Sequence, residues 1–207
     1  MLRTLALLLL SGITLAAHAA DDKMLYLEYR LVGKSIEAES FDAQVKKLWR
    51  IGSSYLRFDD APNPVTKIHG LIIVAEPDIW IVDRNTNQAQ HTVDPGPNYK
   101  IHFPLFASES SEKLRQLEFG RELQYFRENG ATELPPQEVD GIKCKLLRLE
   151  LDGDEVTLFL KTDETPLQVA VKSPDYEYAL RFLRYEPDRK PDRALFQLPP
   201  GVQLKNN

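Results

Sequence analysis

The chain has 207 residues, 43% of them hydrophobic and 28% charged, a composition that excludes a disordered, collagenous or multi-span membrane protein. Its 26 Lys+Arg against 31 Asp+Glu leave a formal charge of −5, and no clustered run of cations points to a nucleic-acid partner. One cysteine excludes an internal disulfide and a cysteine-rich zinc site.

The first segment reads as an address. Met1-Leu2-Arg3 supplies one cation and Leu5–Leu10 an apolar run. Ala17-His18-Ala19 places small residues where a signal peptidase needs them, just before Asp21-Asp22. This order predicts a cleavable secretory signal over residues 1–19 and a periplasmic location. The apolar stretch is shorter than the ~20 residues that span a bilayer, so no integral membrane span is expected. Residues 20–207 then form one domain, since a chain this size can bury roughly 70% of its unfolded surface in a single core.

Most of that domain reads as strand. Leu25, Leu27, Tyr29 and Leu31 alternate with Tyr26, Glu28, Arg30 and Val32, which buries one face. Val45–Arg50 and Tyr55–Phe58 flank Gly52-Ser53-Ser54 as a hairpin. Asp59–Pro64 is expected to break pairing, because proline cannot donate to a ladder. Leu71–Ala75, Ile79–Asp83 and Gln88–Val93 follow as strands, with Arg84–Asn87 as the last turn between them.

A helix is expected next, capped by Ser108 or Ser110, with Leu114, Leu117, Leu123 and Phe126 near helical spacing and Asn129-Gly130 at its end. Gly120 in its middle costs about 1 kcal/mol against Ala and predicts a bend, and Pro135-Pro136 bars continuation. Ile142–Leu151, Glu155–Thr162, Leu167–Lys172 and Tyr176–Leu183 then form a meander through Asp152-Gly153-Asp154 and Asp163–Pro166, with Asp140-Gly141 ahead of the first. The whole predicts a mainly β (α+β) domain of nine or ten strands, whose sheet must curl or close around its one main covering helix.

Little in the sequence carries chemistry. His91, Asp94 and His102 are the only grouping that suggests a metal, and their spacing matches no ligand motif. No nucleophile elbow or phosphate loop occurs, so no enzyme, metal or cofactor is expected. Cys144 alternates with Lys143 and Lys145; it reads as a buried, inert thiol, although exposure beside those lysines would lower its pKa. Aromatic residues lie on nearly every element. A curved sheet leaves a volume that side chains, a helix or an apolar ligand must fill.

Lys47-Leu48-Trp49-Arg50, Tyr55-Leu56-Arg57-Phe58-Asp59, Leu71-Ile72-Ile73-Val74 and Ile79-Trp80-Ile81-Val82-Asp83 resemble, in order, the bacterial lipoprotein-localisation carrier superfamily. Lys161–Pro166 before Leu167–Val171, and Ala194–Val202, resemble its closing phrases, so the likeness covers most of residues 24–204. It implies an incomplete antiparallel β-barrel with a helical lid over an aromatic-lined cavity for acyl chains or other lipids; some related domains sense envelope stress. Two departures stand out. The carriers' first helix is absent, and their Arg-Pro turn reads Arg50-Ile51-Gly52, which puts a lid-locking role for Arg50 in question.

The expectation is therefore a soluble periplasmic protein that binds an apolar or lipid-like ligand, including acyl chains of lipoproteins. Burial of each methylene contributes ~0.8 kcal/mol. Trp49, Trp80, Phe103 and Phe106 are expected to line the pocket, with Phe119 and Phe126 from the lid. The alternative is a module for docking a lipoprotein or other envelope protein, or for sensing stress, with a filled core and no ligand.

Overall fold

The computed structural model describes residues 23–97, 100–106 and 111–205. The expected signal segment and the expected helix caps Ser108 and Ser110 lie outside these residues.

Two antiparallel meanders make up most of the sheet. The first comprises β1 (Met24–Val32), β2 (Lys46–Ile51), β3 (Tyr55–Pro62), β4 (His69–Ala75), β5 (Asp78–Asp83) and β6 (Gln88–Val93). In the second, β7 (Thr132–Val139), β8 (Ile142–Leu151), β9 (Asp154–Leu160) and β10 (Pro166–Lys172) lead to a long β11 (Glu177–Arg189). β11 returns to pair antiparallel with β1 and so joins the meanders. β12 (Gln203–Leu204) adds in parallel to β6. The result is one curved, unclosed sheet of twelve strands, ordered β12-β6-β5-β4-β3-β2-β1-β11-β10-β9-β8-β7.

Local chemistry explains the turns. Asp140-Gly141 and Asp152-Gly153 both have positive φ at each residue (50° and 78°, 54° and 98°), the backbone that two-residue hairpins with native twist require. Two expectations about proline are corrected. Pro135-Pro136 does not merely end a helix; it lies within β7, an edge strand, at the register shift between Leu134 and Gln137, where the missing donors fall on the free edge or in the interrupted part of the ladder. Asp59–Pro62 does not break pairing either, because a register shift between Asp59 and Pro62 carries β3 onward to pair Pro62 with His69.

The single helix is also corrected. The chain forms α1 (Glu112–Arg115) and α2 (Glu122–Glu128) instead. Ser111 caps α1, its Oγ accepting from Leu114 N at 3.1 Å. Between the helices Gly120 adopts φ +84°, and a Cβ there would lie 2.6 Å from Leu25 Cδ2 on β1. The chain thus presses directly on the sheet at the one residue type that permits it, and the helix breaks rather than bends. Residues on the α1 side of the break pair with the strand-like segment that enters the cover: Leu105 N donates to Leu117 O at 2.8 Å and Phe119 N to Phe103 O at 3.3 Å.

Both sheet faces are covered. The inner face, the one under residues 101–106 and 111–129, holds the main core: Leu25, Leu27 and Tyr29 of β1, Leu48 of β2, Leu56 and Phe58 of β3, and Leu147, Leu149 and Leu151 of β8. The outer face holds Met24, Ile51, Ile73 and Val82 beneath Phe196. Phe196 ends a 3₁₀ turn (Arg193–Phe196) capped by Asp192. A third cluster on β8–β10 buries Cys144 with Leu146, Phe159 and Leu167. Burial pushes the Cys144 thiol pKa up, in keeping with its expected place in the core.

Candidate functional site

The six aromatic residues expected to share a pocket do not come together. Side chains alternate along a strand. Leu48 and Arg50 of β2 face inward, so Trp49 faces outward with Ile51. Trp80 lies on the same outer face, packed with Val82 and Ile73. Phe103, Phe106, Phe119 and Phe126 belong to the inner core. The sheet stands between the two groups.

On the inner face the four phenylalanines pack into the core, and Phe119 also borders an open hollow of about 320 Å³ with Leu25, Arg50 and Gly120. Phe119 and Phe126 are 1% and 0% exposed. Phe119 lies 4.7 Å from the Tyr29 ring and 5.8 Å from Phe103, whose ring lies 5.2 Å from Phe58. Phe106 meets Tyr178 edge-on at 5.7 Å. Each distance is in the range where aromatic pairs add about 0.5–1.5 kcal/mol beyond their buried area. Leu114 and Leu117, both fully buried, complete the layer.

Two polar anchors fasten this cover to the sheet, and the sequence did not single out either as a pair. Arg50, 5% exposed, donates to Gly52 O (Nε, 2.9 Å), Phe119 O (Nη1, 3.2 Å) and Ile101 O (Nη2, 3.3 Å). It also forms an ion pair with Glu118 Oε2 at 2.9 Å. Arg50 therefore does hold the covering segment, and the missing proline of the carriers' turn does not prevent it. Burial works against ionisation of Glu118. The hydrogen bond with His102 Nδ1 (2.6 Å) and the Arg50 charge outweigh it, and the carboxyl lies below its usual value.

The second anchor is Glu122, 1% exposed. Its Oε1 accepts from Gly120 N at 2.9 Å and its Oε2 from Tyr185 OH at 2.7 Å. Burial raises its pKa from 4.5 to about 7, against the pull of those two donors. Between pH 4.5 and 7 the unfolded chain has released this proton while the folded chain keeps it, so stability falls as pH rises through that window and levels off above it. Glu122→Gln keeps an acceptor for Gly120 N and places an amide donor opposite the Tyr185 hydroxyl, which then accepts instead of donating. It is expected to leave stability unchanged below about pH 4.5 and to raise it by up to about 3 kcal/mol above about pH 7, measured by urea unfolding across that range.

The outer face is less complete. Across β11, β1, β2 and β3, the residues Glu186, Tyr26, Trp49 and Arg57 lie directly opposite one another in one row. The Arg57 guanidinium lies 5.7 Å from the Trp49 ring centre, and those of Arg184 and Arg189 lie 5.4 and 4.8 Å from that of Tyr26. Two open hollows meet here. One, about 580 Å³, lies between Trp49, Arg57 and Asp59 and the chain from Ala194 to Pro200. The other, about 500 Å³, is lined by Val45, Lys47, Asp59, Pro62, His69 and Arg84. Asp59 is common to both and accepts from Arg57 (3.0 Å) and Arg84 (2.7 Å), so this triad forms the ridge between them.

The metal grouping separates. His91 Nε2 bonds Asp78 Oδ1 at 2.7 Å and its ring stacks on Trp80, whereas His102 bonds Glu118. Among the described residues no group of three His, Cys, Asp or Glu side chains converges to hold a metal. Nor is any described helix long and apolar enough to cross a membrane.

No family model matches the chain and no curated protein matches it. Among solved structures it is similar to an uncharacterized conserved protein from Thermus thermophilus, with 10% identity and a TM-score of 0.49 over 89% of this chain and 90% of that one. It is also similar to MucB, with 10% identity and a TM-score of 0.48, covering 90% of this chain and 61% of the MucB chain.

Proposed function

We propose that the protein is a docking module of the cell envelope, which receives a partner polypeptide on the outer face of its sheet and reserves the inner face for its own core. The observation that carries this reading is the mutual packing of Phe103, Phe119, Tyr29 and Phe58 under the covering segment. An acyl chain there would have to displace rings that already bury one another. On the outer side Trp49 is only half-buried and borders the larger hollow. Tryptophan and arginine are the residue types that most often dominate protein–protein binding energy. Export, and with it the envelope location, rests on the signal-like order of residues 1–19.

Site-specific photocrosslinking tests the reading. A photoreactive residue at Lys47, exposed beside the outer hollow, is expected to give a discrete polypeptide adduct in envelope preparations. The same group at Lys143, exposed on β8, is expected to give none. Equal adducts from both positions, or none from Lys47, would refute outer-face docking.

A further inference from the structure

The chain is acidic overall at −5, yet its outer face around Tyr26 and Trp49 is not. There Arg30, Lys47, Arg57, Arg84, Arg184 and Arg189 stand against Glu28, Asp59 and Glu186. The three carboxylates are already engaged: Glu28 accepts from Tyr26 OH, Asp59 from Arg57 and Arg84, and Glu186 from Arg184, with Arg189 beside it at 3.4 Å. Arg30 and Lys47 are exposed and make no ion pair among the described residues. Three of the guanidinium groups are held over aromatic rings; their Nε groups face Asp59 or Glu186 and Arg57 Nη1 donates to Leu195 O, which leaves their other Nη groups for a partner's carboxylates.

From this surface we infer that the partner presents an extended, acidic segment. Its carboxylates would meet the arginine and lysine groups along β1, β2 and β11, and its apolar side chains would enter the hollow beside Trp49. The inference rests on the docking reading above and names the chemistry of that partner. The surface is complementary in charge to an acidic chain and repels a basic one. Its shape favours a polypeptide over a membrane. The hollow beside Trp49 is walled by the chain from Ala194 to Pro200 and parted from its neighbour by the Arg57–Asp59–Arg84 ridge, which suits a single strand of chain rather than a plane of headgroups.

Fluorescence anisotropy with the intact protein at low salt tests it. The probe is a labelled dodecapeptide alternating glutamate and proline, the prolines keeping it extended. This peptide is expected to bind and to be released as salt rises, while the corresponding lysine–proline peptide does not bind. The double variant Arg30→Glu/Lys47→Glu is expected to weaken binding about tenfold. Both side chains are exposed, so folding is not at stake, and Lys143→Glu is expected to change nothing. Three results would each overturn the inference: no binding of the glutamate peptide, equal binding by the lysine peptide, or binding unaffected by the charge reversal. Capture by phosphatidylglycerol vesicles without peptide binding would assign the surface to a membrane and overturn it as well. Retention of lipid on the inner face, measured separately, would count against the docking reading instead.

Discussion

Arg50→Met is expected to destabilise the protein by about 3–5 kcal/mol, read as a lower urea midpoint. Arg50 neutralises Glu118 in a site where the two residues are 5% and 9% exposed. Removing the cation leaves the buried Glu118 carboxylate with only His102 (2.6 Å) and the more distant Arg121 (3.9 Å) beside it, and breaking a buried pair from one side is the costly way to do so. The double variant Arg50→Met/Glu118→Gln is expected to recover part of the loss, because the under-compensated buried charge is gone. Recovery stays incomplete, since the carbonyls of Gly52, Ile101 and Phe119 lose their donor in both variants. Amide hydrogen exchange around Ile101 and Phe119 is expected to rise in the single variant, because the cover loses its fastening to β2.

Phe119→Ala is expected to cost a similar amount, about 3–5 kcal/mol, and to do something the wild-type chain does not. Phe119 fills the space between Tyr29 and Phe103 and is 1% exposed. Its truncation leaves a dry, apolar cavity bounded by those rings. Such cavities bind small apolar molecules. The variant is therefore expected to gain thermal stability when saturated with benzene, and the wild-type protein to show no such gain. A wild-type response equal to that of the variant would mean that the inner face already contains a vacancy.

Features set by near neighbours were legible in the sequence. The Asp-Gly hairpins, the alternation that turns Leu25, Leu27 and Tyr29 to one face, and the burial of Cys144 all depend on residues close along the chain. Features set by distant contacts were not. Leu114, Leu117, Leu123 and Phe126 have helical spacing, but the helix ends where Gly120 meets Leu25, a contact between residues far apart in the chain. Pro135-Pro136 signals a break until β7 is known to be an edge. The pairing of β1 with β11 is equally invisible to periodicity. That pairing decides the outer face: it brings Arg184 and Arg189 onto Tyr26, on the strand next to Lys47 of β2, a cationic surface gathered from strands far apart in sequence. Of the six aromatic residues chosen as one lining, the strand parity of Trp49 and Trp80 places two on the face opposite the other four.

The most direct test is whether the inner face carries cargo. The protein, purified without detergent, is to be weighed by native mass spectrometry and then titrated with a fluorescent stearate analogue. A filled core predicts the bare polypeptide mass and no saturable uptake. A stoichiometric lipid adduct, or saturable binding that Trp49→Ala leaves intact, would contradict it and restore the inner face as a carrier site.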